Sequence, residues 1–173
     1  MTKTRNHGIT LYNVLFPIWF LLAFPVTWLI VIPVNFAVDS AVMIAGLSYL
    51  RVVGRREVYR RAIIKVVAFG FISDIIGSLL LFATVISSSF LPSSELLNDV
   101  QAAVAMNPWS HPLALLIVTA AVGVAGALIY ALNFRFAFAG AKLDVRQRRW
   151  LCAALAVVTA PWVFYFPSGL LYR

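Results

Sequence analysis

The chain has 173 residues, of which 62% are hydrophobic and only 12% charged, with a formal net charge of +8. Soluble domains sit near 45–50% apolar and about 25% charged, so this composition excludes a soluble globular protein and indicates an all-α, polytopic integral membrane protein. Spans of about 20 residues fill the length as one domain, 1–173, with five transmembrane helices and no soluble module.

In chain order, Met1 to Thr10 is a short polar tail with Lys3, Arg5 and His7. The apolar stretch after it is too long for a signal-peptide core and lacks a small-x-small cleavage site, so it reads as an uncleaved first span. Between Leu11 and Leu50 the only formal charge is Asp39, and forty such residues are twice a span. A helical hairpin follows, its turn placed at Ile32-Pro33-Val34-Asn35, where proline interrupts the hydrogen-bond ladder and Asn35 can cap the next helix. This gives spans of about 11–32, kinked at Pro17 and Pro25, and 36–53. Asp39 then falls in the first turn of the second span, near the interface and the positive end of the helix dipole.

The segment Arg51 to Lys65 is strongly basic and leads into a third span, 62–86, which carries Asp74 near its middle. Gly70, Asp74 and Ser78 recur at four-residue spacing with Ser73 and Gly77 adjoining, making one small, polar face that should look inward. Between Ser87 and Pro112, ELLNDVQAAVAM has Leu96, Leu97, Val100 and Val104 at helical spacing opposite Glu95 and Asp99. It predicts a short interfacial helix begun by Ser94 and stopped by Asn107-Pro108. The fourth span, 113–134, has Thr119, Gly123, Ala127 and Ala131 as a small-residue stripe, expected to be a packing face. A second basic connection, Arg135 to Arg149, leads to a fifth span, 150–166, with Cys152, Ala156 and Ala160 as another stripe and Pro161 bending its outer end.

On this division all 14 lysines and arginines except Arg173 lie on one side. That side is the cytoplasm by the positive-inside rule, so the expected location is the cell membrane, amino terminus inside and carboxy terminus outside. Tyr12, Tyr49, Tyr130 and Trp150 mark the inner boundary, with Trp28, Trp109, Trp162 and Tyr165 towards the outer one. Flanking spans as they do, Arg51, Arg55, Arg56, Arg60, Arg61, Arg146, Arg148 and Arg149 are read as contacts for anionic lipid head groups, and nucleic acid is not an expected partner.

The sequence has no HExxH, GxSxG, Walker loop or cysteine pair, and it implies no metal and no cofactor. Asp74 is the candidate site, since a carboxylate at mid-membrane depth must be protonated, paired or wetted. Ser73, Ser78 and Asp39 are the candidate partners for ion or proton binding. Three readings follow. The first is an accessory or assembly subunit of a membrane complex, in which Asp74 bonds across a helix interface with a second copy or a partner membrane protein. The second is a small proton- or cation-coupled transporter or channel-type protein using Asp74. The third, an intramembrane enzyme, needs two carboxylates in contact, whereas this division separates Asp39 and Asp74 by ~15 Å in depth at ~1.5 Å per residue.

Overall fold

The computed structural model describes residues 17–87, 94–168 and 170. All regular structure among the described residues is helical, with no strand. The elements are α1 (Pro25–Tyr49), α2 (Arg55–Ile86), α3 (Glu95–Met106), α4 (Pro112–Leu132) and α5 (Val145–Val158). Short 3-10 segments lie at Ile18–Ala23, Pro108–Ser110 and Trp162–Tyr165, and a π-helical turn at Asn133–Ala137 prolongs α4. Three helices are long and apolar enough to cross a membrane: Pro25–Tyr49, Arg55–Ile86 and Pro112–Ala137.

The boundaries depart from the sequence reading at informative places. Ile32-Pro33-Val34-Asn35 is no turn; it lies inside α1. Proline in a helix removes one N–H and crowds the carbonyl four residues back, but helices in apolar surroundings carry it where neighbours re-satisfy the freed group. The chain breaks earlier, at Phe24, because Pro25 takes the first helical position, where a missing N–H matters least. Residues 1–16 of the expected tail and first span, with Lys3, Arg5, His7 and Tyr12, lie outside the described residues, as do Ser93 and Arg173.

The third expected span is the later part of a 32-residue helix that takes in the basic segment from Arg55. It starts at Gly54, whose φ of 73° glycine adopts without strain. The fifth is displaced towards the amino terminus. Asp144 and Gln147 form a reciprocal capping box that fixes the start of α5, with Gln147 N donating to Asp144 Oδ1 at 2.7 Å and Asp144 N to Gln147 Oε1 at 3.2 Å. Pro161 fixes its end. The Val157 carbonyl that residue 161 would normally satisfy is taken instead by the Trp162 indole N–H at 2.9 Å. The 14-residue α5 is too short to span alone.

The short helix expected between the third and fourth spans is found with the expected ends. Ser94 Oγ accepts from Leu97 N at 3.2 Å, and α3 stops at Asn107, whose side chain accepts from Trp109 N at 3.2 Å. Val100 and Val104 are buried and Leu96 is exposed.

Side-chain contacts order the long helices. Asn35 meets Asp74 and Ser40 meets Tyr59 between α1 and α2. A Cβ on Gly77 of α2 would stand 3.3 Å from Ala125 Cβ of α4, one on Gly126 of α4 3.4 Å from the Ala156 carbonyl of α5, and one on Gly46 of α1 2.7 Å from Leu151 of α5. Each pairing is antiparallel, and together they close a four-helix ring α1–α2–α4–α5. One end of it holds the Leu50–Gly54 turn, bonded to Gln147 at 3.3 Å. The other holds Trp109, which donates to the Tyr165 carbonyl at 2.9 Å, and Trp19, which donates to that of Val104 at 3.2 Å. Every lysine and arginine among the described residues lies towards the first end. Apolar clusters fill both halves, around Met43, Leu47, Val66, Ile129 and Leu155 in one and Trp19, Leu81, Val104, Val118 and Phe164 in the other.

The stripe Thr119, Gly123, Ala127 and Ala131 is exposed, and nothing stands within 4 Å of a Cβ built on Gly123. The face of α4 that packs within the chain carries Ala114, Val118, Ala121, Val122, Ala125 and Ile129. Both faces are rich in small residues, so spacing did not choose between them. Gly77 does, since its close approach requires alanines opposite.

Candidate functional site

Between the two apolar clusters the bundle carries a polar layer. Asp39 on α1 is 2% exposed and Asp74 on α2 is 7% exposed. Both line one cavity of about 430 Å³. Its α1 wall is one helix face, Thr27, Val31, Asn35 and Val38-Asp39, at successive steps of about one turn. Its floor is Gly70 and Asp74 of α2, one turn apart. The third wall is the broken end of α5, from Val158 to Val163, with Trp19 and Leu22 at the end.

Three features of the sequence build this space. Pro161 ends α5 at mid-bundle, so the ring lacks helix on that side and the gap becomes cavity. Gly70 has no side chain, and a Cβ placed there would be in ordinary contact with Asp39 Oδ2 at 3.5 Å, so the Asp39 carboxyl takes the space that a side chain longer than alanine would occupy. Pro33 lies within a continuous α1, which puts Asp39 in the second half of a 25-residue helix and not in the first turn of one. The ~15 Å difference in depth expected from the sequence is therefore overturned: with the turn removed, Asp39 lies opposite Gly70, one turn from Asp74.

The hydrogen bonding is lopsided. Asn35 Nδ2 donates to Asp74 Oδ2 at 3.4 Å, while Asp74 Oδ1 is buried with no hydrogen-bond partner among the described residues. The Thr159 hydroxyl stands against the Asp39 carboxyl, but it also lies 2.9 Å from the Leu155 carbonyl and has one proton to give. Thr27 donates to the Phe24 carbonyl at 2.7 Å. The Trp162 indole N–H is held by Val157 and that of Trp19 by Val104. No lysine, arginine or histidine lines the cavity among the described residues. The site is thus an excess of acceptors in a mostly apolar, partly open cavity, and its chemistry is to take a proton, a cation or a hydrogen-bond donor.

Of the sequence candidates, Asp74 and Asp39 come together here. Ser73 and Ser78 do not join them. Both are buried on the expected inward face, but their hydroxyls bond to carbonyls of their own helix, Phe69 at 2.7 Å and Ile75 at 2.9 Å. Asn35, read from the sequence only as a helix cap, is instead a side chain of the site. Its spacing of four from Asp39 is visible in the sequence once α1 is taken as unbroken.

At the basic end, Arg51, Arg55, Arg56, Arg60, Arg61, Arg146 and Arg149 are exposed. Arg61 pairs with Glu57 at 2.7 Å. Arg148 differs from them. It lies over the Phe134 ring, 4.2 Å from the centroid, and donates to the Phe134 carbonyl in the π turn. No protein-family model, no curated protein and no solved structure matches the chain.

Proposed function

We propose that this chain is a small multi-pass protein of the cell membrane that binds a proton or a cation between Asp39 and Asp74, as a proton- or cation-coupled transporter or channel-type protein does. The observation that carries the reading is the buried Asp74 carboxyl, whose Oδ1 has no hydrogen-bond partner among the described residues, lining one cavity together with Asp39, with no basic side chain among the described residues of that lining to neutralise either acid. A carboxylate kept only to tie helices together should have its acceptors filled, because an unfilled one at that depth costs of the order of 1–3 kcal/mol. The test uses an apolar carbodiimide, which reaches carboxyls from the lipid phase, with modified peptides read by mass spectrometry. Asp39 and Asp74 are expected to react, and a cation that occupies the site is expected to slow both. Modification unaffected by any inorganic or organic cation would remove the reading.

The same reading sets the topology. The basic end is cytoplasmic by the positive-inside rule, α1, α2 and α4 cross, and α5 with the Trp162–Tyr165 turn makes a further crossing. These are four crossings, with Trp19 and the Trp162–Tyr165 turn both at the outer end; the proposed fifth, which would put the amino terminus with Lys3 and Arg5 on the cytoplasmic side and leave the carboxy terminus outside, falls to residues 1–16, outside the described residues. A cysteine replacing Arg56 should be closed to an impermeant reagent added outside, and one replacing Asp99 open to it; the reverse pattern would sink this arrangement. Anionic lipid head groups are the partner proposed for the basic end, where Lys65 and Lys142 rim a cleft floored by Val58, Ala62, Ala137 and Ala141.

The accessory-subunit reading keeps one specific support, the exposed Thr119–Gly123–Ala127–Ala131 face of α4, which suits close approach by another helix. The depth objection to an aspartyl enzyme no longer holds, but neither acid has a partner arranged to position water or substrate among the described residues.

A further inference from the structure

We infer that the ligand of the Asp39–Asp74 cavity is an organic cation: an ammonium group carried on a compact apolar body. This rests on the reading of the two acids as a cation site and names the class of cation.

The first argument is size. A cavity of about 430 Å³ falls in the range of roughly 300–1,000 Å³ that small organic ligands occupy. A proton needs no volume, and one water takes ~30 Å³ of liquid, so an inorganic ion with a few waters leaves most of the space unfilled. The walls around that space are Ile30, Val31, Val38, Val158 and Val163, four of them also exposed on the outside of the bundle, so the cavity opens through an apolar rim that suits an apolar ligand body better than a hydrated ion.

The second argument is the donor set. A metal ion such as Ca²⁺ takes six to eight oxygens, and Mg²⁺ an octahedron. The cavity offers the two carboxylates, Asn35 with its amide nitrogen turned to Asp74, and two threonine hydroxyls already within bonding distance of backbone carbonyls. An ammonium asks for less: two or three acceptors on one side, here the Asp74 and Asp39 carboxyls, and apolar contact elsewhere. The third is what the wall withholds. The ring N–H groups of Trp19 and Trp162 are bonded to carbonyls, so neither indole is a free donor that would compete with an ammonium for the two acids.

The experiment uses the full chain in lipid nanodiscs, with quenching of tryptophan fluorescence as readout. The probes are 2-phenylethylammonium, its neutral analogue 2-phenylethanol, and sodium or calcium chloride as competitor. The ammonium is expected to bind saturably at one site per chain and the alcohol at least about tenfold more weakly, since it leaves the carboxylates without a cation. Asp39→Asn and Asp74→Asn should each weaken the ammonium by about tenfold or more. Val158→Phe, which fills the apolar wall and leaves both acids in place, should weaken it as well. This last variant keeps the inference testable if an acid replacement fails to fold.

Equal binding of alcohol and ammonium would overturn the inference by showing an apolar pocket only. Binding of sodium or calcium that displaces the probe and is indifferent to Val158→Phe would also overturn it, while leaving the proton or cation reading standing. Absence of any cation binding, together with cation-independent carbodiimide modification, would end both.

Discussion

Replacing Gly77 by alanine adds one carbon where α2, α4 and the Trp162–Tyr165 turn meet. The new Cβ would stand 3.0 Å from Phe164 Cε2, 3.3 Å from Ala125 Cβ and 3.4 Å from the Ala121 carbonyl oxygen. The last two neighbours have no flexible end to swing away; they move only if α4 moves. Phe164 is fully buried and has little room of its own. Overpacking a filled interior by one such group costs about 1–3 kcal/mol, and alanine in place of glycine in a helix returns ~1 kcal/mol, so a net loss of up to about 2 kcal/mol is expected. Gly123→Ala is the matched control. Nothing stands within 4 Å of its Cβ, so it should be neutral or stabilising by up to ~1 kcal/mol. Reversible unfolding in bicelles would measure both. Adding Ala125→Gly to Gly77→Ala removes one of the crowded carbons and should recover at least ~0.5 kcal/mol beyond the sum of the single effects. Full stability of Gly77→Ala with a loss at Gly123→Ala would refute the assignment of which α4 face packs inward.

Further outcomes follow from the same contacts. Gly70→Ala should fold and retain the site, because its Cβ meets Asp39 Oδ2 at an ordinary 3.5 Å, whereas Gly70→Leu should displace that carboxyl and abolish cation binding; equal binding by the two would contradict the placement. Asp144→Ala loses the half of the α5 capping box made by its side chain, the bond from Gln147 N, and should lower stability by about 0.5–2 kcal/mol, read by the same unfolding assay. Pro161→Ala should let α5 continue, raising helicity by circular dichroism and shrinking the cavity, with weaker cation binding; unchanged helicity would show that proline does not set the end of α5.

Much of this arrangement was legible in the chain because it depends on local rules. The inward face of Gly70, Ser73, Asp74, Gly77 and Ser78 follows from helical spacing, and all five are buried. The start of α3 at Ser94 and its stop at Asn107-Pro108 follow from capping chemistry. The second acid was misplaced because Pro33 in an apolar run looks the same whether it makes a turn or sits within a helix. That distinction depends on the neighbouring helices, and it carried Asp39 and Asn35 with it. The cavity was hidden for a related reason. Pro161 signals a break, but whether the gap beside it is filled depends on what α1 and α2 place opposite, and they place Asn35, Asp39, Gly70 and Asp74 there. The packing face of α4 was set by its partner's glycine and not by its own stripe.

The central claim is that Asp39 and Asp74 form a single cation-accepting site, and a double-mutant cycle on cation affinity tests it most directly. Affinity for 2-phenylethylammonium, or for whichever cation slows carbodiimide modification, would be measured for the wild type, Asp39→Asn, Asp74→Asn and the double replacement. Groups that share one ligand in one cavity are strongly coupled, so each single change should remove most of the binding, and the double should lose less than the product of the two by a factor corresponding to at least ~0.5 kcal/mol. Losses that simply multiply, or an Asp39→Asn variant that binds like the wild type, would contradict the account.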